Sequence, residues 1–387
     1  MPRYREVDVK TAARSSGVVD SWFLGRWGLN LYRGCEHACM YCDGRAEKYQ
    51  VEGDFGSDIV VKRNIVAVFA QEMRRAREPG FVFVGGGVCD GWQPAEARYR
   101  LARSVLEIAL QRSLPVHILT KSTLVERDLD LLTAIHARSR AIVSLSINTL
   151  DDTVRERFEP GAAPIEGRWR VLARARQLGL GVGVMAMPVL PGISDQPEAI
   201  EALARRAADI GVDFVSFGGL TLRPGVQKQT FLSRVREHDA DLVAGYERIY
   251  GDLRSSGAAD SRYYARLDGR FQAALRSTGL PGRIPHRLFR GMIPLYTEVA
   301  VLLEHRAFET DGPSNSIQRD LTSSSMAIQQ WAKSRLARHA RVKGYDASAV
   351  EQEFQSGVND KSLLQVPGMC PGAWPVVQEI LSGLSSR

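Results

Sequence analysis

No run of this 387-residue chain is apolar for long enough to cross a bilayer; the longest, 182–190, falls far short of the roughly 20 residues that a spanning helix needs. The first twenty residues mix Arg3, Arg5, Asp8, Lys10, Arg14 and Asp20 with no apolar centre, so no secretory leader is read there. Cysteine is scarce, with five residues, and three of them fall within eight positions. A disulfide scaffold would instead spread an even number over a small secreted domain. Neither an internal repeat nor a glycine-rich dinucleotide fingerprint occurs. These absences predict a soluble, cytoplasmic protein in a reducing compartment, without membrane contact. A hydrophobic content of 44% is ordinary for a globular core, and the length suits one large α/β domain plus an appendage. The net charge of +7 permits a polyanionic partner, because Lys and Arg gain affinity for phosphates by releasing counterions.

What the chain does have is concentrated. Cys35, Cys39 and Cys42 stand in the run Tyr-Arg-Gly-Cys-Glu-His-Ala-Cys-Met-Tyr-Cys at 32–42. A [4Fe-4S] cluster takes one thiolate per iron, so three clustered cysteines hold three irons and leave the fourth open for chemistry. The competing reading is a zinc knuckle, with His37 completing a Cys3His set around one tetrahedral ion. His37 lies only two residues from each neighbouring cysteine, whereas structural zinc sites usually bring a second ligand pair from another element.

From 29 to 218 short, β-rich apolar runs alternate with longer amphipathic ones, the pattern of βαβ units and a parallel sheet. Six roughly parallel strands are predicted near 29–32, 81–85, 116–120, 141–147, 181–187 and 213–217. Pro94 opens a helix over 95–112 in which Leu101, Val105, Ile108 and Ala109 share a face, and Asp195 precedes a helix over 197–208. Six such units predict an α/β fold, a partial (β/α)6 barrel with its active site at the C-terminal strand ends. The cysteine run follows the first strand directly. Three segments are expected: an N-terminal extension over 1–28, the barrel over 29–225, and a mostly helical, basic C-terminal region over 226–387. The last contains a low-complexity break at 311–325, and from 283 to 343 ten Arg or Lys stand against five Asp or Glu. That stretch is a candidate nucleic-acid contact, against the plainer reading of a solvated helix surface.

Cysteines spaced by three and then two residues, preceded by Arg33-Gly34 and followed by Asp43, resemble the CxxxCxxC signature of the radical S-adenosylmethionine (SAM) superfamily. Further stretches extend the resemblance over most of 29–225 to its spore photoproduct lyase-like, SplB-type branch, often labelled DNA repair photolyases. They are Cys-Asp-Gly-Trp-Gln-Pro-Ala-Glu at 89–96, Ile-Leu-Thr-Lys-Ser at 118–122, Leu-Ser-Ile-Asn at 145–148, Arg-Phe-Glu-Pro-Gly at 157–161 and Pro-Val-Leu-Pro-Gly-Ile-Ser-Asp at 188–195. The resemblance implies a [4Fe-4S] cluster on Cys35, Cys39 and Cys42 whose open iron chelates SAM, and a reductant of flavodoxin or ferredoxin type. It also implies that SAM is cleaved to methionine and a 5'-deoxyadenosyl radical, which takes a hydrogen from the substrate. Carried over by position, Asp90 and Lys121 contact the methionine part of SAM, Ser146 and Asn148 serve its carboxylate or ribose, and Tyr41 lies beside the adenine. A cationic amine and an anionic carboxylate each gain a charge-assisted partner in this way. Ser146 and Asn148 share a strand face that points inward if Leu145 and Ile147 pack on helices. Asp90 also has a plainer reading as a cap on the following turn, and Lys121 as a surface residue after a strand.

The pattern departs from that branch in two places. Gly85-Gly86-Gly87 stands where many radical SAM proteins carry Gly-Gly-Glu, so Asp90 is expected to take part of the missing glutamate's task. Spore photoproduct lyase proper carries a hydrogen-donor cysteine three residues before the aspartate matched to Asp90, and here that position is Gly87. Cys89, two residues on, is the displaced candidate for the donor, against the reading of a small buried hydrophobe. Cys370 reads as structural or incidental, or as part of a tail covering the site. Three functions stay open: a radical SAM enzyme acting on a nucleic-acid base, one acting on a small molecule or peptide, or a non-enzymatic iron-sulfur or zinc protein.

Overall fold

The computed structural model describes residues 2–85, 88–251, 255–310 and 316–385. Among them ten strands form two sheets: β1 Arg3–Val7, β2 Ala13–Ser15, β3 Gly25–Leu29, β4 Tyr32–Arg33, β5 Asp58–Lys62, β6 Phe81–Val84, β7 Val116–Thr120, β8 Ala141–Ser146, β9 Gly181–Val189 and β10 Phe214–Gly219. β3, β6, β7, β8, β9 and β10 run parallel and lie side by side in chain order, and β2 adds an antiparallel edge beside β3. With a helix between each pair of parallel neighbours, this is the expected partial (β/α)6 barrel. β1, β5 and β4 form a small second sheet that leads into the cysteine run.

Strand residues alternate between the helix layer and the barrel interior, as a period of two requires. Val82, Val84, Ile118, Val143, Leu145, Val182 and Val184 are buried against Phe69, Val105, Leu106, Leu172 and Leu203 of the helices. Each such side chain contributes roughly 1.5–3 kcal/mol. Phe81, Ile142, Met185 and Phe214 face inward and pack on Val19, Leu24, Ile284, Leu288 and Phe289. Phe81, Ile142 and Phe214 stand at the N-terminal ends of their strands, so this packing seals the bottom of the barrel.

The C-terminal region is helical, as expected. Helices Val226–His238 and Leu242–Ile249 pack Phe231, Val235, Tyr246 and Tyr250 against Cys39, Tyr41, Phe158 and Leu220. Helix Ser261–Thr278 lies on Pro197–Ile210 and β10, closing the edge of the sheet. Helices Leu295–Glu309, Ser316–Arg338, Ala347–Asn359 and Trp374–Ser385 build a second core around Val299, Leu303, Ile328, Phe354 and Val377. Among the described residues no helix is long and apolar enough to cross a membrane.

Several expectations shift. The first barrel strand is Gly25–Leu29 rather than 29–32, because Tyr32 and Arg33 leave the barrel to pair with Val61 and Val60. The helix over 95–112 is two helices, Ala95–Tyr99 and Leu101–Gln111, broken where Arg100 takes φ 53. Buried Glu96 spans that break, accepting from the Arg103 amide at 3.3 Å as well as from the Tyr32 hydroxyl at 2.6 Å and Arg127 at 2.9 Å. Asp195 does not cap the following helix; its carboxylate accepts from the Gly192 amide at 2.7 Å and the Tyr263 hydroxyl at 2.9 Å. Of the low-complexity break, 311–315 lie outside the described residues and the remainder is helical, with Ser324 and Ser325 buried. Of the basic stretch, the part from Ile284 to Val301 packs under the barrel; Arg287 pairs with Asp213, Arg306 with Glu379 and Arg335 with Glu353.

One interior histidine carries a pH consequence. His117 is fully buried; its Nδ1 lies 2.8 Å from the Phe23 carbonyl, which can only accept, so Nδ1 carries the hydrogen and Nε2 accepts from Ser144 at 2.8 Å. Burial lowers its pKa to about 4, and burial likewise lowers His305 to about 4. The unfolded chain binds these protons near pH 6.5 and the folded chain does not, so stability is full above that value and falls as pH drops toward 4. The loss reaches about 3 kcal/mol per imidazole. Denaturant unfolding measured between pH 7 and 4.5 should show this slope, and His117→Gln should remove about half of it; a flat profile would contradict the neutral assignment.

Candidate active site

The cysteine run is held by backbone contacts on both sides. The Cys35 amide donates to the Phe55 carbonyl at 2.9 Å, the Ala38 amide to the Cys35 carbonyl at 3.0 Å, and the Cys42 amide to the Cys39 carbonyl at 3.3 Å. Ala38 takes φ 51, and Arg45 ties the turn by donating to the Ala38 and Cys39 carbonyls, both at 2.9 Å. From across the site, the Met40 amide donates to the Phe158 carbonyl at 2.8 Å and the Gly161 amide to the His37 carbonyl at 3.0 Å. Any side chain at Gly161 would meet the Glu36 carbonyl oxygen, 2.0 Å from an added Cβ, so this approach requires glycine.

All three thiols line one cavity of about 310 Å3 at the C-terminal strand ends, together with Tyr41, Cys89, Asp90, Lys121 and Ser146. Lys121 follows β7 and its Nζ donates to the Ser146 hydroxyl at 2.7 Å, which in turn donates to the Met187 carbonyl at 3.1 Å. Asn148, just past β8, donates from Nδ2 to the Pro188 carbonyl at 2.8 Å. Gly85 follows β6 at φ 103 with the Leu119 carbonyl oxygen only 1.9 Å from where a Cβ would stand; Gly86 and Gly87 lie outside the described residues.

Asp90 is a clasp. Oδ1 accepts from the Trp92 amide at 2.8 Å and the Thr120 hydroxyl at 2.7 Å; Oδ2 accepts from the Lys121 amide at 2.8 Å and lies 3.3 Å from His37 Nδ1. Its acceptor sites are therefore met by the protein itself, joining β6, β7 and the cysteine run. Burial alone would raise its pKa, but His37 and the two amides outweigh burial and hold it near 2. Asp90 thus caps the turn that follows it and also lines the cavity.

A second buried carboxylate was not assigned a role from sequence. Glu159 Oε2 accepts from Arg168 Nη2 at 2.5 Å, and its Oε1 takes the hydroxyl hydrogen of Tyr41 and lies 3.9 Å from Lys121 Nζ. Arg168 also donates to the Ser146 carbonyl at 2.8 Å. Glu159 is 1% and Arg168 0% exposed. Burial would raise the Glu159 pKa; Arg168, Lys121 and the Tyr41 hydroxyl hold it below the usual range. The Tyr41 carbonyl accepts from Gln227 at 2.9 Å.

Cys89 lies beyond the end of β6, not within a regular strand, yet it lines the same cavity, with Sγ 3.8 Å from Asn30 Oδ1. Cys370 does not; its amide donates to Ser324 at 3.0 Å within the C-terminal helices. Burial raises the Cys35 thiol well above its ordinary value, Cys39 to about 12, Cys42 upward and Cys89 to about 11. A metal must therefore displace protons to bind here, as thiolate ligation does generally. Among the described residues no three His, Cys, Asp or Glu side chains close on a single ion. A cubane needs no such closure, because each thiolate takes its own iron, so the donor set fits a cluster better than a zinc knuckle.

A partial parallel barrel with three thiols, two of them buried, lining one cavity at its C-terminal strand ends defines a class of metallocofactor enzymes. The chain belongs to the radical SAM superfamily. The model of that superfamily matches residues 29–203. An uncharacterized protein of Mycobacterium tuberculosis is 32% identical over 229 residues, covering 58% of this chain and 67% of that protein. One of Acidianus two-tailed virus is 32% identical over 253 residues, covering 62% and 82%. Among solved structures, a spore photoproduct lyase complexed with dinucleoside spore photoproduct shares the fold at TM-score 0.55 and 17% identity, covering 72% of this chain and 80% of that one. A mutant of that enzyme with bound AdoMet and dinucleoside spore photoproduct matches at TM-score 0.52 and 18% identity, covering 70% and 79%. The protein is thus a radical SAM enzyme, a class that uses a [4Fe-4S] cluster and SAM.

The buried pair predicts an asymmetric mutational response. Glu159→Gln or Arg168→Met alone leaves an unpaired buried charge and should cost about 3–5 kcal/mol, whereas the double variant should lose much less. Denaturant unfolding of the three variants decides this; additive losses would show that the two residues do not act as a pair.

Proposed function

We propose that Cys35, Cys39 and Cys42 each hold one iron of the [4Fe-4S] cluster, that SAM occupies the adjoining cavity, and that the substrate is a nucleic-acid base undergoing repair or modification. The observation that carries the first two parts is that the three thiols and the Lys121–Ser146 pair line one cavity. When bound, the reduced cluster and SAM supply a 5'-deoxyadenosyl radical that takes a hydrogen atom from a substrate carbon.

The chain's own groups do the rest. Lys121 offers its ammonium to the methionine carboxylate, and Ser146 can turn its hydroxyl from the Met187 carbonyl to the same group. Asn148 and the Tyr41 ring serve the nucleoside part, where a flat heterocycle suits an aromatic edge. Asp90, with its oxygens already engaged, holds the mouth of the cavity in shape and adds negative charge near a SAM amine. Cys89 shares the cavity without belonging to the ligand triplet and is the residue proposed to return a hydrogen atom to the substrate. The apolar packing under the barrel keeps water from reaching the site from below.

The nucleic-acid assignment draws support from the fold likeness to spore photoproduct lyase bound to its dinucleoside, and not from the basic stretch, part of which packs at the far end of the barrel. Anaerobic reconstitution should yield 5'-deoxyadenosine on reduction. Ala in place of Cys35, Cys39 or Cys42 should abolish that product, while Cys89→Ala should keep it and change only substrate turnover. Affinity for single-stranded or duplex DNA and RNA should fall log-linearly with salt. Salt-independent or absent binding, with SAM cleavage intact, would sink the nucleic-acid assignment and leave the radical chemistry standing.

A further inference from the structure

A second cavity, of about 810 Å3, lies between helix Ser261–Thr278, the loop that follows it and helices Leu295–Glu309 and Trp374–Ser385. Its wall carries Arg276, Arg283, Arg290 and Arg306 against two carboxylates, Glu309 and Glu379. Both carboxylates are engaged by Arg306, at 3.9 and 2.7 Å. Among the described residues neither Arg283 nor Arg290 has a carboxylate within ion-pair distance. Arg290 donates to the Leu384 carbonyl at 3.2 Å, and His286 is already bonded to Glu298.

Arg283 is held in an unusual way. Its guanidinium is clamped between the rings of Trp22 and Phe308, 3.7 and 3.8 Å from their centroids. Nη1 donates to the Gly282 carbonyl at 2.9 Å, while Nε is buried with no acceptor. Burial lowers its pKa to about 10, against the pull of Tyr264, Glu304, Asp268 and Asp20 through space, so it stays a cation at neutral pH. Two aromatic faces fix the plane of the fork, and a fixed fork is what bidentate recognition of an oxyanion requires. Asp20, Asp268 and Glu304 attract it without forming an ion pair, and none of them lines the cavity.

We propose that this cavity binds a small organic phosphate, with the dianionic head between Arg283 and Arg290. Four arginines against two glutamates leave the wall two positive charges in excess, which matches a phosphate dianion, whereas a monocarboxylate would leave one unmatched. The volume lies within the range of small-molecule sites, about 300–1,000 Å3, and leaves room for a nucleotide-sized body. No residue of the cluster pocket lines this cavity, so the inference stands apart from the reading of the radical site.

Calorimetric titration of the reconstituted full-length protein with inorganic phosphate at low ionic strength tests it, with acetate as the monoanion. Saturable phosphate binding is expected, with acetate weaker by at least about tenfold. Arg283→Lys keeps the charge but loses the fork, and Arg290→Gln removes a charge with little packing at stake; each should weaken phosphate at least about tenfold. Should Arg283→Lys disturb folding by melting temperature, Arg290→Gln carries the test alone. Phosphate binding no tighter than about 1 mM, or unchanged in Arg290→Gln, overturns the proposal.

Discussion

The ion pair between Glu159 and Arg168 is the constraint around which the upper half of the molecule is arranged. Both side chains are removed from water, and desolvating two charges costs several kcal/mol each before any attraction is counted. Such a pair is poor value as a stabiliser, so its partners are the better guide to its use. Glu159 takes the hydroxyl of Tyr41, which stands between the second and third cysteines, and faces Lys121 at the end of β7. Arg168 reaches the carbonyl of Ser146 at the end of β8. One charge pair therefore fixes the cysteine run relative to two strand ends.

Asp90 does the corresponding work on the opposite side, joining the end of β6, the first amide after β7 and His37 within the cysteine run. The run is thus clamped between two buried carboxylates, and neither has an idle oxygen. In a low-dielectric interior such networks are strong when every member is satisfied and disruptive when one is not. Precision at the level a reactive intermediate demands comes from supports of this kind, which lock side chains that would otherwise rotate.

The cysteines, five of the six parallel strands and the helical C-terminal region were legible from residue patterns because each rests on a local rule: ligand spacing, alternation with a period of two, or helical periodicity. Strands β7 and β8 lie where their apolar runs predict them. β1, β2 and β5 were not legible, being short and half-exposed or, for β5, defined only by pairing with Tyr4 and Tyr32 from distant parts of the chain. Glu159 illustrates the limit for the site. Its stretch at 157–161 stands out in the sequence, yet on a helix end an acidic residue reads as solvent-facing, and only the tertiary meeting with Arg168 and Tyr41 makes it interior. For the basic stretch, counting charges does not say which are paired, and Arg287, Arg306 and Arg335 are.

The C-terminal region divides its work among three places. Its first two helices cover the cysteine run with Phe231 and Tyr246, the next closes the sheet at β10, and the segment from Ile284 onward fills the bottom of the barrel. A six-stranded barrel leaves an edge and a floor that an eight-stranded one would close with its own strands. The change of pattern near residue 225 is accordingly a change in secondary structure rather than a break in packing, because residues on its far side bury Cys39 and Phe81. The anion cavity lies within that same helical region, so a ligand there would bear on the elements that hold the floor and edge of the barrel closed.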